Sequence, residues 1–170
     1  MIKLIRPSVN YAEDIMAFRA EMGGHIPGGS NLEDYDNAAD WIAHVEEFSR
    51  EETCPEGIVP ADVFIAVNED NRIVGMIDCR HHINHPRLSE YSGHIGYSVR
   101  PSERRRGYAK EMLQQALEFY RVRGIDRVLI TCEEGNIGSE RTILANGGVF
   151  ERKTLDDERV MKRFWIYLQF

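Results

Sequence analysis

The chain has 170 residues, 42% of them hydrophobic and 29% charged, which is typical of one globular domain and excludes a disordered chain. Its formal net charge of −7 argues against general nucleic-acid binding, because that function needs a basic surface. Residues 1–90 carry a net charge of −10 and residues 91–170 a net charge of +3, so we expect an acidic region and a separate, smaller anion site.

The first half of the chain consists of periodic segments separated by loops rich in glycine and proline. Apolar residues two apart indicate strands, and apolar residues three and four apart indicate helices. These patterns predict a strand at 2–6, a helix capped by Ser8 or Asn10 and ending near Met22, a flexible loop at 23–31, an acidic amphipathic helix at 32–52 and a loop at 53–60.

The second half begins with a predicted β-hairpin and ends with two further strands. In order, the patterns predict hairpin strands at 61–67 and 72–80, a strand at 94–99, a helix at 107–123, a strand at 127–132, a short helix at 139–146 and strands at about 148–153 and 160–168. Strands and helices do not alternate strictly, so the predicted fold class is α+β around a largely antiparallel sheet.

The most informative segment lies between the strand at 94–99 and the helix at 107–123. Residues 100–110 contain five basic side chains and one acidic side chain. A helix N-terminus has unpaired amides and a partial positive charge, and the small residues Gly107 and Ala109 let an anion approach the backbone. The segment therefore predicts a pyrophosphate site, with a solvated basic turn as the alternative. It matches neither the dinucleotide-binding nor the P-loop pattern.

The order Arg104-x-x-Gly107-x-Ala109 resembles the Gln/Arg-x-x-Gly-x-Gly/Ala signature of the GNAT superfamily, the acetyl-CoA-dependent N-acetyltransferases. Segments similar to other elements of that family lie, in order, at 5–14, 97–101, 136–139 and 148–150. The resemblance implies one GNAT-type domain over 1–170, in which a mixed, mostly antiparallel sheet is flanked by helices. Residues 23–60 form an atypical acidic helical insert, which is a candidate region for the acceptor site.

The resemblance also implies which residues bind acetyl-CoA. Backbone groups of Tyr97 and Val99 would pair with the pantetheine arm like an added strand. Amides from Arg104 to Ala109 would hold the pyrophosphate, with nearby charge from the arginines. Asn136 and Ser139 would reach the cofactor from the neighbouring strand end, with a turn residue and a helix N-cap as the structural alternatives. The full set is Tyr97, Val99, Arg104, Arg105, Arg106, Gly107, Tyr108, Ala109, Asn136 and Ser139.

Transfer of an acetyl group to an amine needs a base that accepts the proton of the amine. In many members of the family this base is a glutamate near the start of the fourth strand. His94 is the only titratable residue in the corresponding segment, 92–95, so it is the candidate general base. The alternative is a histidine half-buried in the strand and hydrogen-bonded there. Glu90 and Asp78 are lesser candidates.

The leaving thiolate is protonated in many relatives by a tyrosine whose position is occupied here by Ile143. Either another group serves or the thiolate leaves unaided, and Tyr97 and Tyr108 are weak candidates for the acid. Cys132 ends a predicted strand but has no evident histidine partner, so we expect direct attack by the amine in a ternary complex.

Two polar clusters outside the motif have functional and structural interpretations. The loop with His81, His82 and His85 has no carboxylate or cysteine at a recognised metal-ligand spacing, so we predict no metal site. The acids of the insert form a solvated face by default, but some could line an acceptor cleft and attract a cationic amine. In that case neutralising Glu33, Asp34 and Asp36 together should raise the KM for the acceptor.

These inferences predict an N-acetyltransferase that moves the acetyl group from acetyl-CoA to a primary amine of a small molecule or peptide. One alternative is an acyl-CoA-binding sensor or scaffold with weak catalysis, and another is an anion-binding domain without CoA specificity. Three unpaired cysteines, no signal peptide and no membrane-length apolar run predict a cytoplasmic location without nucleic-acid or membrane partners. The apolar final strand, which ends at Phe170, predicts a surface for a homodimer.

Overall fold

The larger of two sheets has four antiparallel strands in the order β1-β2-β3-β4. The computed structural model describes residues 1–169. The strands are β1 Lys3–Ile5, β2 Ala61–Val67, β3 Ile73–Arg80 and β4 Ile95–Val99. β2 and β3 form the predicted hairpin, and residues 73–79 are all buried because packing covers both faces of β3.

The second sheet has three antiparallel strands in the order β5-β7-β6. They are β5 Arg127–Glu133, β6 Val149–Asp156 and β7 Arg159–Tyr167. The three predicted strands of this region are confirmed, with β6 extending three residues beyond the predicted end. The part of the final strand that the prediction assigned to dimer formation includes Phe170, which lies outside the described residues.

Four helices flank the sheets: α1 Ala12–Met22, α2 Ala38–Glu47, α3 Tyr108–Val122 and α4 Ile137–Ala145. The apolar stripe of α3 packs on one face of the larger sheet, together with residues of β5 and β7. α1 and α2 pack on its other face and enclose a second core. The α+β prediction is confirmed, since two antiparallel sheets are flanked by helices. None of the helices within residues 1–169 is long and apolar enough to cross a membrane.

The segment 32–52 does not form the single long acidic helix that the sequence predicted. Residues 32–34 form a single 3₁₀ turn, and the α-helix spans only Ala38–Glu47. The Oδ1 atom of Asn37 accepts a hydrogen bond from the amide of Asp40 at 2.8 Å, which is the standard side-chain cap of a helix N-terminus. This cap sets the start of α2 within the run that apolar spacing had assigned to one helix.

The loop at 23–31 is packed against the protein, although the sequence predicted a flexible loop. Ile26 is 1% exposed, and the indole nitrogen of Trp41 donates to the Gly29 carbonyl at 2.8 Å. Gly28 has a φ of +76°, and a Cβ at that position would lie 2.5 Å from the carbonyl oxygen of Gly96. Glycine is therefore required there, because the backbone of the loop lies directly on β4.

His94 joins the two sheets just before β4 begins. Its amide donates to the Leu129 carbonyl at 2.8 Å, and its Nδ1 accepts from the Leu129 amide at 2.9 Å. Beyond this junction β4 and β5 belong to different sheets, so β4 is an edge strand of the larger sheet.

Candidate functional site

A cavity of about 680 Å³ lies where β4, the start of α3 and α4 meet. Nine of the ten residues predicted to bind the cofactor line it, although they come from three separate parts of the chain. These nine are Tyr97, Val99, Arg104, Arg105, Gly107, Tyr108, Ala109, Asn136 and Ser139. The tenth, Arg106, is not among the lining residues; its side chain is largely exposed, and its guanidinium lies 3.5 Å from Oε2 of Glu103.

The edge of β4 presents free backbone groups to this cavity. The amide of Arg100 donates to the Val74 carbonyl at 2.8 Å, so Arg100 and Val74 form a hydrogen-bonded pair of the antiparallel ladder. Because such pairs alternate, the N–H and C=O groups of Tyr97 and Val99 point away from β3. Of these groups, the Val99 carbonyl already accepts a hydrogen bond from Arg104 Nε at 3.1 Å, so the Val99 amide and the two backbone groups of Tyr97 are left for a ligand. An extended ligand could therefore pair with this edge as an additional strand.

The N-terminus of α3 opens into the same cavity. Gly107 occupies the cap position with a φ of +81° and supplies no capping side chain. The first helical hydrogen bond runs from the amide of Glu111 to the Gly107 carbonyl at 3.2 Å, so the preceding amides have no partner within the helix. Arg104, Arg105 and Lys110 also line this end, and their charges add to the helix dipole.

The five basic side chains of residues 100–110 do not act as one patch. The Arg100 guanidinium is buried on the α1 side, 2.8 Å from Asp14 Oδ1 and 3.1 Å from Glu21 Oε1. Alternation along the extended backbone sends this side chain to the face opposite the anion site. The cavity is lined by three of the five basic side chains, those of Arg104, Arg105 and Lys110.

α4 forms the opposite wall and is linked to β4 by hydrogen bonds. Asn136 is the N-cap of α4, and its Oδ1 accepts from the Ser139 amide at 3.2 Å, so Asn136 has the capping role considered for Ser139. The Ser139 hydroxyl lies 2.7 Å from the Tyr97 hydroxyl. Burial raises the pKa of Tyr97 to about 12, which keeps its phenol protonated at neutral pH.

His94, the predicted general base, does not line the cavity. Its side chain is packed beside Tyr120, and the residue is 5% exposed. Burial lowers the pKa of His94 to about 4, while its Nδ1 is occupied by the Leu129 amide. This environment favours the alternative interpretation, a strand histidine that holds the two sheets together.

The two lesser base candidates are also held by other groups. Arg152 donates to both carboxylate oxygens of Glu90 at 2.9 Å, and this bonding lowers the pKa of Glu90 to about 2. Asp78 Oδ1 accepts from the Gly96 amide at 2.9 Å, and its Oδ2 lies 3.4 Å from Arg80 Nε. Ile143, at the position of the usual acid, is fully buried in the core.

Other polar clusters of the sequence are explained by local contacts. His81 Nε2 lies 2.8 Å from Asp62 Oδ2, which ties the histidine-rich loop to β2. Within residues 1–169 no three histidine, cysteine, aspartate or glutamate side chains lie close enough together to hold a metal ion. Burial raises the pKa of Cys132 to about 11, so its thiol is a poor nucleophile at neutral pH.

The residues of the third wall of the cavity were not predicted from the sequence. Met22, His25 and Pro27 line it from the α1 side, together with Ser98 of β4. The Gly-Gly-His-Ile-Pro-Gly-Gly segment carried only a loop signal, because its contact with β4 joins residues far apart in the chain. The Oγ of Ser98 is buried and, within residues 1–169, has no hydrogen-bond partner.

Comparison with known proteins gives one family and one fold. A model of the acetyltransferase (GNAT) family matches residues 30–146. The chain is 29% identical over 75 residues, 44% of its length, to YjdG of Bacillus subtilis (strain 168), an uncharacterized N-acetyltransferase. That match spans 42% of YjdG, so the chain matches less than half of this relative's length.

Two solved structures share the fold over nearly the full chain. The ribosomal-protein-S5-alanine acetyltransferase of Vibrio fischeri superposes with a TM-score of 0.71 at 14% identity, covering 98% of this chain and 91% of that one. The microcin C7 self-immunity acetyltransferase MccE, solved with acetyl-CoA and AMP, gives 0.64 at 18% identity, covering 98% and 92%. At these identities the likeness shows the fold alone.

Proposed function

The chain belongs to the acetyltransferase (GNAT) family, and from this premise we propose that it transfers the acetyl group of acetyl-CoA to a primary amine. The observation that carries the proposal is the meeting of two binding elements in one cavity. The edge of β4 offers backbone groups to an extended arm, and the uncapped start of α3 offers amides and cations to a pyrophosphate. The similar fold of MccE, solved with acetyl-CoA, supports the choice of ligand.

In the proposed reaction both substrates bind before chemistry starts. The amine nitrogen forms a bond to the thioester carbonyl carbon, the carbon–sulfur bond breaks, and the nitrogen loses a proton to a base. Cys79 of β3 and Cys132 of β5 are buried, and burial raises the pKa of both thiols. Direct attack by the amine therefore fits this chain, because neither thiol is an activated nucleophile. A covalent acetyl-enzyme is not part of the proposal.

We propose that the acceptor amine reaches the site as a cation and loses one proton before its neutral nitrogen attacks. Asp34 and Asp36 are exposed, and they follow Glu33, whose carboxylate lies 2.8 Å from the cavity-lining His25. Exposed carboxylates on one rim raise the local concentration of a cationic amine. The shared fold of the ribosomal-protein-S5-alanine acetyltransferase supports a peptide amine as one class of acceptor.

The double variant Asp34→Asn/Asp36→Asn should raise the KM for a cationic acceptor roughly 3-fold to 10-fold, because two attractive charges are lost. The dissociation constant for acetyl-CoA should stay the same. Steady-state kinetics at low and high ionic strength test this, since salt should remove the difference between the variant and the original protein. An acceptor KM that is unchanged at low ionic strength would contradict the cationic-acceptor proposal.

Arg105 has a φ of +64°, a conformation that costs most side chains about 1 kcal/mol. Arg105→Gly should therefore raise the free energy of unfolding by up to ~1 kcal/mol while it weakens acetyl-CoA binding several-fold through the lost charge. Denaturant titration and isothermal calorimetry measure the two effects. Asp157→Gly is the matched control, because Asp157 has a φ of +54° in the β6–β7 turn and should change stability alone.

The proposed function is tested in two steps. Acetyl-CoA should raise the melting temperature more than ATP does at equal concentration, which separates a CoA site from a general anion site. Thiol release should then appear when spermidine, L-lysine or an alanine-terminated peptide is added. Binding without thiol release would favour the sensor or scaffold, a candidate supported by the buried Ile143 at the acid position.

A further inference from the structure

A histidine–glutamate pair lies on the α1 side of the cavity. His25 lines the cavity, and its Nδ1 lies 2.8 Å from Oε2 of Glu33. An ionised carboxylate can only accept a hydrogen bond, so Nδ1 carries the hydrogen, and in the neutral ring Nε2 then has a free lone pair. Within residues 1–169, Nε2 makes no hydrogen bond to another protein group. Of the six histidines in the chain, His25 alone lines this cavity.

Both members of the pair are held by the packed part of the loop. Arg19 donates from Nη2 to the Glu33 carbonyl at 2.9 Å and from Nε to the Leu32 carbonyl at 3.3 Å. Ile26, the residue after His25, is 1% exposed. The Glu33 side chain is 21% exposed, whereas that of His25 is 79% exposed. Arg19 thus anchors the backbone of Glu33, whose Oε1 is buried without a hydrogen-bond partner within residues 1–169, whereas the imidazole of His25 is largely exposed.

The pair lies on the side from which an amine can approach. The pyrophosphate site is at the start of α3, so a ligand arm along β4 runs from Val99 to Tyr97 and ends near Tyr97. The loop of His25 covers this end, because a Cβ on Gly28 would lie 2.8 Å from Tyr97 Cα. Ser98 Oγ, buried and unpartnered within residues 1–169, marks a polar position on the same side.

We propose that His25 accepts the proton of the attacking amine and that Glu33 positions its ring, an inference that rests on the proposed function. As the carbon–nitrogen bond forms, the carbon–sulfur bond breaks and its electron pair leaves with sulfur. The proton of the amine moves to His25 Nε2, and the imidazolium then gives it to the CoA thiolate or to water. Glu33 fixes the tautomer that leaves Nε2 free and stabilises the imidazolium.

The His25–Glu33 pair can supply the general base that the other three candidates cannot supply. His94, Glu90 and Asp78 each have their side chains engaged by backbone amides or arginines, and none of the three lines the cavity. His25 lines the cavity, its Nε2 has no protein partner within residues 1–169, and a carboxylate lies beside its Nδ1. This is the arrangement that general-base catalysis requires.

The test compares His25→Gln and Glu33→Gln with His82→Gln, a control at an exposed histidine away from the cavity. Thiol release is measured with spermidine, L-lysine, an alanine-terminated peptide and water alone as acceptors. We expect His25→Gln to lower kcat roughly 100-fold and Glu33→Gln about 10-fold, with acetyl-CoA affinity changed by less than about 2-fold. His82→Gln should match the original protein.

A second measurement separates catalysis from a structural role. Imidazole added to His25→Ala should restore part of the lost rate, because it can enter the vacated space as a free base, and it should not affect His82→Gln. Unchanged kcat in His25→Gln, or a loss confined to acetyl-CoA affinity, would overturn the assignment while the proposed function stands. If the original protein binds no acetyl-CoA or releases no thiol with any acceptor, the proposed function fails and the base assignment fails with it.

Discussion

Gly107→Glu is expected to abolish acetyl-CoA binding, with a loss of roughly 100-fold or more in affinity. Gly107 caps α3 beside the unpaired amides that would hold the pyrophosphate, and no protein atom lies within 4 Å of a Cβ built there. A glutamate would therefore fit sterically and would place its carboxylate among the phosphates. Repulsion between like charges costs between ~1 and ~4 kcal/mol per pair at 4 Å, depending on exposure to water.

A second glycine with the same backbone conformation provides the control for backbone strain. Gly124 has a φ of +73°, has no atom within 4 Å of a built Cβ and does not line the cavity. Gly124→Glu should lose about the same ~1 kcal/mol of stability and keep its acetyl-CoA affinity. Isothermal calorimetry on both variants separates charge from strain. Normal acetyl-CoA binding by Gly107→Glu would show that the pyrophosphate lies elsewhere.

The free energy of unfolding should fall by ~2.5 kcal/mol between pH 7.5 and pH 4.5 because of His94 alone. Burial lowers the pKa of His94 to about 4 in the folded chain, against about 6.5 when unfolded. A lowered histidine pKa means that the unfolded chain binds the proton more readily. The stabilising contribution is therefore fully present above pH 6.5 and is lost as the pH falls through 6.5 toward 4.

His94→Asn tests this pH dependence, because the asparagine oxygen can accept the hydrogen bond from the Leu129 amide without titrating. Urea titrations across this pH range should show a smaller acid-induced loss in His94→Asn than in the original protein. His85→Asn is the control, since His85 lies in the polar loop and should leave the loss unchanged. An equal acid-induced loss in His94→Asn and the original protein would contradict the assignment.

Local patterns in the sequence were sufficient for most of the fold. The β-forming residues of 61–67 and the short apolar run of 127–132 predicted two strands, and the apolar stripe of 107–123 predicted α3 with errors of one residue at each end. These signals are local, because strands and helices bury one face at a fixed period. The acidic segment 32–52 was predicted less well, because the cap at Asn37 limited α2 to ten residues.

The proposed anion site could also be predicted from the sequence, since the glycine, the small residue and the arginines that it needs are neighbours in the chain. The assignment of Arg100 to that patch was wrong, because the direction of its side chain depends on the register of β4 against β3. The interpretation of His94 likewise depended on Leu129, a partner in another sheet. A count of charges gives no information about strand register or about the burial of a side chain.

The sequence by itself determined the class of fold, the family and the position of the basic turn before α3, because each rests on residues close together in the chain. Only the tertiary structure decided what faces the cavity from the α1 side. The glycines of 23–31 let that loop lie directly on Gly96, and with this packing His25 lines the cavity beside β4 while it contacts Glu33. Such a contact leaves no periodic signal, because it joins an irregular loop to a distant strand through backbone shape.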